Sequence, residues 1–151
     1  MERYQEREPY LLASYPSPGD AMNVLELTRK LIDIDSVTGR EHQVGEFLLE
    51  CLGELAARTG GRIERMEVEA DRFNVLALWG TPRVTFSTHM DVVPPFFGSA
   101  EDEEWIYGRG ACDAKGILAA MIVALERLLA EGFKNLALLA VVGEERNSAG
   151  A

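Results

Sequence analysis

Residues 115–143 read KGILAAMIVALERLLAEGFKNLALLAVVG. Two periods meet in this stretch. As far as Glu131 the apolar residues Leu118, Met121, Ile122, Leu125, Leu128 and Leu129 recur at three- and four-residue spacing, the stripe of a helix with one face on a core. Gly132 is its stop. From Leu136 to Val142 every position is apolar, the composition of a central strand covered on both faces. A helix that hands the chain to such a strand implies an α/β layer fold.

Working outward, the same arrangement continues upstream. Short strands are expected at Arg62 to Glu69, Phe73 to Trp79, and Arg83 to about Met90. The first alternates polar and apolar residues and reads as half exposed, whereas the third begins as a buried run. Two helices precede them. Val24, Leu27, Thr28, Leu31 and Ile32 share one face of a helix from Asp20 to about Asp33. A second carries Val44, Phe47, Leu48, Cys51, Leu52 and Leu55 inward and ends at Gly60-Gly61. Thr38-Gly39-Arg40-Glu41 in front of it has the form of a capping box. Residues 1–19 hold three prolines without periodicity and read as an arm, and residues 20–151 as one unit.

Bulk properties narrow the function. A chain of 151 residues suffices for one domain with a core. Its net charge of −10 argues against nucleic acid, whose phosphates it would repel. No run reaches the length of a membrane span, and MERYQEREPYLL lacks the apolar core of an export signal, so a cytoplasmic protein is expected. Cys51 and Cys112 form no disulfide framework. Cys51 lies on a core stripe, and Cys112 reads as a small residue in a tight place in preference to a metal ligand.

Three polar clusters follow apolar elements, where open α/β sheets gather ligands and catalytic groups. The first closes VTFSTHMDVVPP (84–95): His89 and Asp91 share one side of an extended chain. A carboxylate there can fix the tautomer of a metal-binding imidazole, or simply cap a turn. The second is Tyr107-Gly-Arg-Gly-Ala-Cys-Asp-Ala-Lys-Gly116. It fails as a dinucleotide fingerprint because Asp113 stands where the third glycine belongs, and as a phosphate loop because no Ser or Thr follows Lys115. Asp113 is equally suited to capping a helix and to binding a metal. The third is Gly143-Glu144-Glu145, adjacent carboxylates after a buried strand. They are either solvated or held near a cation that removes their repulsion.

STHMDVVPP, IYGRGACDAKG and VVGEERNSAGA, in this order, resemble the co-catalytic zinc amidohydrolases: acetylornithine deacetylase, succinyl-diaminopimelate desuccinylase, aminoacylase and glutamate carboxypeptidase. SVTGREHQVGEFL and RFNVLALWG fit the same family, so the likeness runs from about Val24 onward. It implies a three-layer mixed sheet with helices on both faces, of the zinc-exopeptidase kind and incomplete at its C-terminus. It further implies His89, Asp113 and Glu145 as metal ligands, with Asp113 bridging two ions and followed by a cis peptide bond. Asp91 and Glu144 are implied as the catalytic carboxylates, Asp91 holding the His89 ring and Glu144 acting as general base. The cofactor implied is Zn²⁺, two ions per complete site, with Co²⁺ able to substitute. The chemistry implied is hydrolysis of an amide in N-acyl amino acids or small peptides, acetylornithine first.

The departures from the family pattern concern substrate and completeness. GSAEDEEW is shorter and more acidic than the usual segment between the first two motifs, and Asn147 replaces a common glycine. An acidic ligand, a C-terminal histidine and a dimerisation domain are expected beyond residue 151, and His42 matches no ligand position. Two readings result: an amidohydrolase completed by further chain, or a catalytically incompetent α/β fragment. In either case LALLAVVG is expected to expose an unpaired strand edge and to drive homo-oligomerisation.

Overall fold

A computed structural model describes residues 22–151, so the expected arm at 1–19 and the expected helix start at Asp20 lie outside the described residues. The chain runs α1 (Val24–Asp33), α2 (His42–Thr59), β1 (Arg62–Glu69), β2 (Arg72–Trp79), β3 (Val84–His89), β4 (Ala100–Glu101), β5 (Ile106–Tyr107), α3 (Lys115–Ala130) and β6 (Leu136–Val141). The result is the expected mixed α/β sheet with helices.

Helix α1 starts at Val24 because Asn23 caps it, its side-chain oxygen accepting from the amides of Leu25 and Glu26. The capping box expected at 38–41 does not form. Glu41 is buried on an ion pair with Arg72, and the Thr38 hydroxyl is drawn away to Asp91. Tertiary partners outbid the local cap. Helix α2 ends as expected, with Gly60 in the left-handed conformation at φ 76°.

The main sheet has the order β1-β2-β6-β3. β1 and β2 form an antiparallel hairpin, β2 pairs antiparallel with β6, and β3 pairs with β6 in parallel. β3, α3 and β6 are therefore a βαβ unit, since parallel neighbours need a long crossover. The helices gather over the sheet face that carries Phe73, Val75, Ala77 and Trp79, where Leu31, Leu48, Leu52, Leu55, Leu118 and Ile122 complete the core. Each of the leucine, isoleucine, valine and phenylalanine side chains, fully buried, contributes about 1.5–3 kcal/mol.

Two expectations about strands are corrected here. β6 has no free edge, because β2 and β3 flank it on both sides. Among the described residues β3 is the edge instead, and its apolar-looking start is in water: Val84 is 51% exposed, and Thr85 and Ser87 are exposed with it. Composition alone could not reveal this, since an edge strand and a central strand can share β-branched residues.

Candidate metal centre

The site forms where β3 and β6 end side by side, His89 paired with Val141. Segment 36–38 runs along 90–92: Val37 bridges Val92, Val92 donates to Ser36 O at 3.0 Å, and the Ser36 hydroxyl donates to Met90 O at 2.9 Å. This lacing brings Thr38 to Asp91. Past β6, Gly143 at φ 74° turns the chain so that its carbonyl accepts from Asn147 and Ser148. Asn74 of β2 clamps that turn, accepting from Val142 N at 3.0 Å and donating to Gly150 O at 2.7 Å.

Asp91 has no exposed surface. One carboxylate oxygen accepts from Thr38 Oγ1 at 2.8 Å and from Glu145 N at 3.2 Å, and the other accepts from Glu144 N at 3.1 Å. Its nearest approach to the His89 ring is through its own carbonyl, 3.0 Å from Nδ1, with the carboxylate at 3.4 Å. Nδ1–H donates to that carbonyl, which directs Nε2 toward Asp113 Oδ1 at 3.0 Å and Glu144 Oε2 at 3.8 Å. Asp113 is not the cap of α3, a place taken by Ala114. The peptide bond between these two residues is cis.

The expected residues are brought together. One ligand atom each from His89, Asp113 and Glu145 lies within 4.8 Å of the other two, the only such group among the described residues. Asp91 stands behind them and Glu144 beside them.

The electrostatics suit a cation. Hydrogen bonding to Asp91 raises the His89 pKa to about 9 against the opposing effect of burial, with Asp113 adding to the rise. The ring holds a proton in the site as described, and a metal must displace it from Nε2 to bind there. Burial pushes the Asp91 carboxyl up, but hydrogen bonds from His89, Thr38 and the two glutamate amides outweigh it and hold it below the usual carboxylate range. Burial raises Glu145, and the carboxylates of Asp113, Asp91 and Glu144 add to the rise against the pull of His89. Carboxylates crowding a histidine in this way form a donor set that a divalent ion fits.

Three supporting residues escaped the sequence reading. Thr38 and Asn74 are ordinary polar residues whose roles depend on long-range pairing. Lys115 has no exposed surface and donates from Nζ to Ile34 O at 2.7 Å, tying the start of α3 to the end of α1. Burial lowers its pKa to about 8, against the pull of Asp35 and Asp33. A lysine inside a glycine-flanked turn was the available signal.

Residues 85–151 match the family described as Peptidase family M20/M25/M40. A Peptidase M20 domain-containing protein of Sordaria macrospora is 38% identical over 162 residues, covering 85% of this chain and 36% of its own length. A probable carboxypeptidase of Emericella nidulans is 40% identical over 143 residues, covering 87% of this chain and 33% of its own length. An M20 family metallo-carboxypeptidase from Sulfolobus solfataricus has the same fold, with a TM-score of 0.70 at 23% identity, over 82% of this chain and 32% of that one. The chain thus spans about a third of the length of the relatives it matches. The three polar clusters lie within residues 85–151, the stretch that is similar to the Peptidase M20/M25/M40 family.

Proposed function

We propose that the full-length protein is a metal-dependent hydrolase of amide bonds in small peptides or N-acyl amino acids. The observation that carries this reading is the convergence of His89, Asp113 and Glu145 within 4.8 Å, with Glu144 alongside. The name of the Emericella relative, a probable carboxypeptidase, supports peptides; the acetylornithine type of N-acyl substrate rests on the motif resemblance alone.

In this reading His89, Asp113 and Glu145 would hold the divalent metal, Asp113 serving both ions of a two-ion site, and zinc is the ion the donor chemistry would suit. Metal bound there supplies Lewis-acid chemistry, polarising the substrate carbonyl and lowering the pKa of water. Glu144 is the general base: it accepts a proton as water oxygen attacks the amide carbon, then delivers it to the nitrogen as the C–N bond breaks. Asp91 fixes the amides of both glutamates and, through its main chain, the ring of His89.

Replacing the base without touching the donors is the direct test. Glu144→Ala in the full-length protein should lower turnover by about 10²–10⁴-fold while metal content, measured by elemental analysis, stays near the wild-type value. Turnover that survives this change removes Glu144 from its role. A panel of N-acetyl, N-succinyl and dipeptide substrates then decides between the acetylornithine type and peptides.

One observation favours a second reading for residues 1–151 on their own. Three donors shared between two ions leave two apiece, below the three protein ligands usual in a catalytic zinc site. On that reading the isolated chain turns nothing over, which the same assay reads directly.

A further inference from the structure

A groove of about 550 Å³ opens beside the metal donors, and Asp113 and Glu145 form one end of it. Its wall includes Val93, Phe97 and Tyr107, which are 38%, 48% and 50% exposed. Single apolar side chains in water are ordinary on a protein surface. Three large ones grouped in a concavity that ends on candidate ligands mark a place where something apolar is bound.

The wall is held in position before any ligand arrives. β4 and β5 pair as a small hairpin, Ala100 opposite Tyr107. At its base Asp33 of α1 accepts from the Ser99 amide at 2.6 Å and the Ser99 hydroxyl at 3.0 Å, and Arg29 of α1 pairs with Glu101 at 2.7 Å. Gly108 then lies flush against α1: at φ 148° it has no Cβ, which would fall 2.3 Å from Ile32. The Tyr107 hydroxyl donates to Asp102 at 2.7 Å, which pins one edge of the ring.

Charge decides which class of side chain fits. Asp113 and Glu145, at the metal end, are assigned to the ions and not to a substrate side chain. The one cation in the wall, Arg109, is engaged: Nε donates to Pro95 O at 3.0 Å and the guanidinium rests 4.9 Å from the centre of the Phe97 ring. Beside it Val93, Phe97 and Tyr107 present hydrocarbon along the wall.

Resting on the hydrolase reading, we infer that this groove receives a large apolar side chain, aromatic or leucine-like, from one of the two residues flanking the scissile amide, and that Phe97 sets that preference. The test uses the full-length metal-loaded protein and two dipeptide series, X–Ala and Ala–X, with X being Ala, Leu, Phe or Glu. In one series Leu and Phe should exceed Ala and Glu in kcat/KM by about tenfold or more, the discrimination expected of an apolar pocket. Phe97→Ala should collapse that ratio to about threefold or less. If Ala–Ala is cleaved but Glu is preferred, or if the ratio is the same in Phe97→Ala, the groove assignment is wrong and the hydrolase reading stands. If no dipeptide of either series is cleaved but N-acetyl or N-succinyl amino acids are, the groove assignment is wrong and the hydrolase reading stands; if none of these amides is cleaved, both are wrong.

Discussion

Neither carboxylate oxygen of Asp91 reaches water, and their partners lie on three separate stretches of chain: Thr38, His89 and the Glu144–Glu145 turn. Thr38 supplies the one side-chain hydroxyl in that set. Removing it leaves a buried anion with one partner fewer, and the glutamate amides free to drift. Thr38→Val should therefore lower kcat in the full-length protein by about 10–100-fold, the usual effect of losing a group that orients a metal site. Thr38→Ser should restore most of it. A Thr38→Val protein with wild-type kcat removes the hydroxyl from any positioning role. His89, Asp91, Asp113 and the glutamate pair stood out in the sequence through the order of the three motifs and their resemblance to a family, since each cluster alone fitted a strand end, a helix cap or a solvated loop equally well. Thr38 was legible only as a helix cap, since nothing local announces that a residue 53 positions away will claim its hydroxyl.

Among the described elements, the 3.6-residue repeat located the three helices and the 2-residue repeat β1, whereas continuous apolar runs between turn residues located the inner strands. Such patterns failed where a neighbour decides the outcome. Glu41 was read as half of a capping box, yet it is the buried partner of Arg72, whose Nη2 and Nε approach it at 2.6 and 2.9 Å and whose Nη1 reaches Glu69 at 2.5 Å. Hydrogen bonding to Glu41 raises the Arg72 pKa against the effect of burial. The pair joins the start of α2 to the start of β2. Cutting it on one side strands the other: Arg72→Met should destabilise the protein by about 3–5 kcal/mol, read from urea unfolding. The double variant Arg72→Met, Glu41→Gln should recover part of that loss, because no uncompensated charge remains. A double variant no more stable than the single one rules out charge burial as the cause. The β4–β5 hairpin was missed for another reason: two-residue strands are too short to show a period.

For the molecule as a whole, the two margins of the sheet differ. β1, with sequence RIERMEVE, carries three glutamates and two arginines along one edge. β3, with sequence VTFSTH, carries no carboxylate, lysine or arginine along the other. Charged margins resist pairing with a further strand, and uncharged ones permit it. The association expected of β6 therefore belongs to β3. At high concentration the 151-residue chain should sediment as a dimer or larger, and Val84→Lys should shift most of it to monomer. A monomeric wild type, or a Val84→Lys chain that associates as before, contradicts this placement.

That difference gives the sheet a polarity of growth. β1 is the guarded border, and a strand that widens the sheet joins more readily at β3. His89 is the last residue of β3. The candidate ligands therefore stand at the margin where new structure joins, and an added strand would arrive beside them. In such a sheet, extending the fold and enclosing the site are a single event.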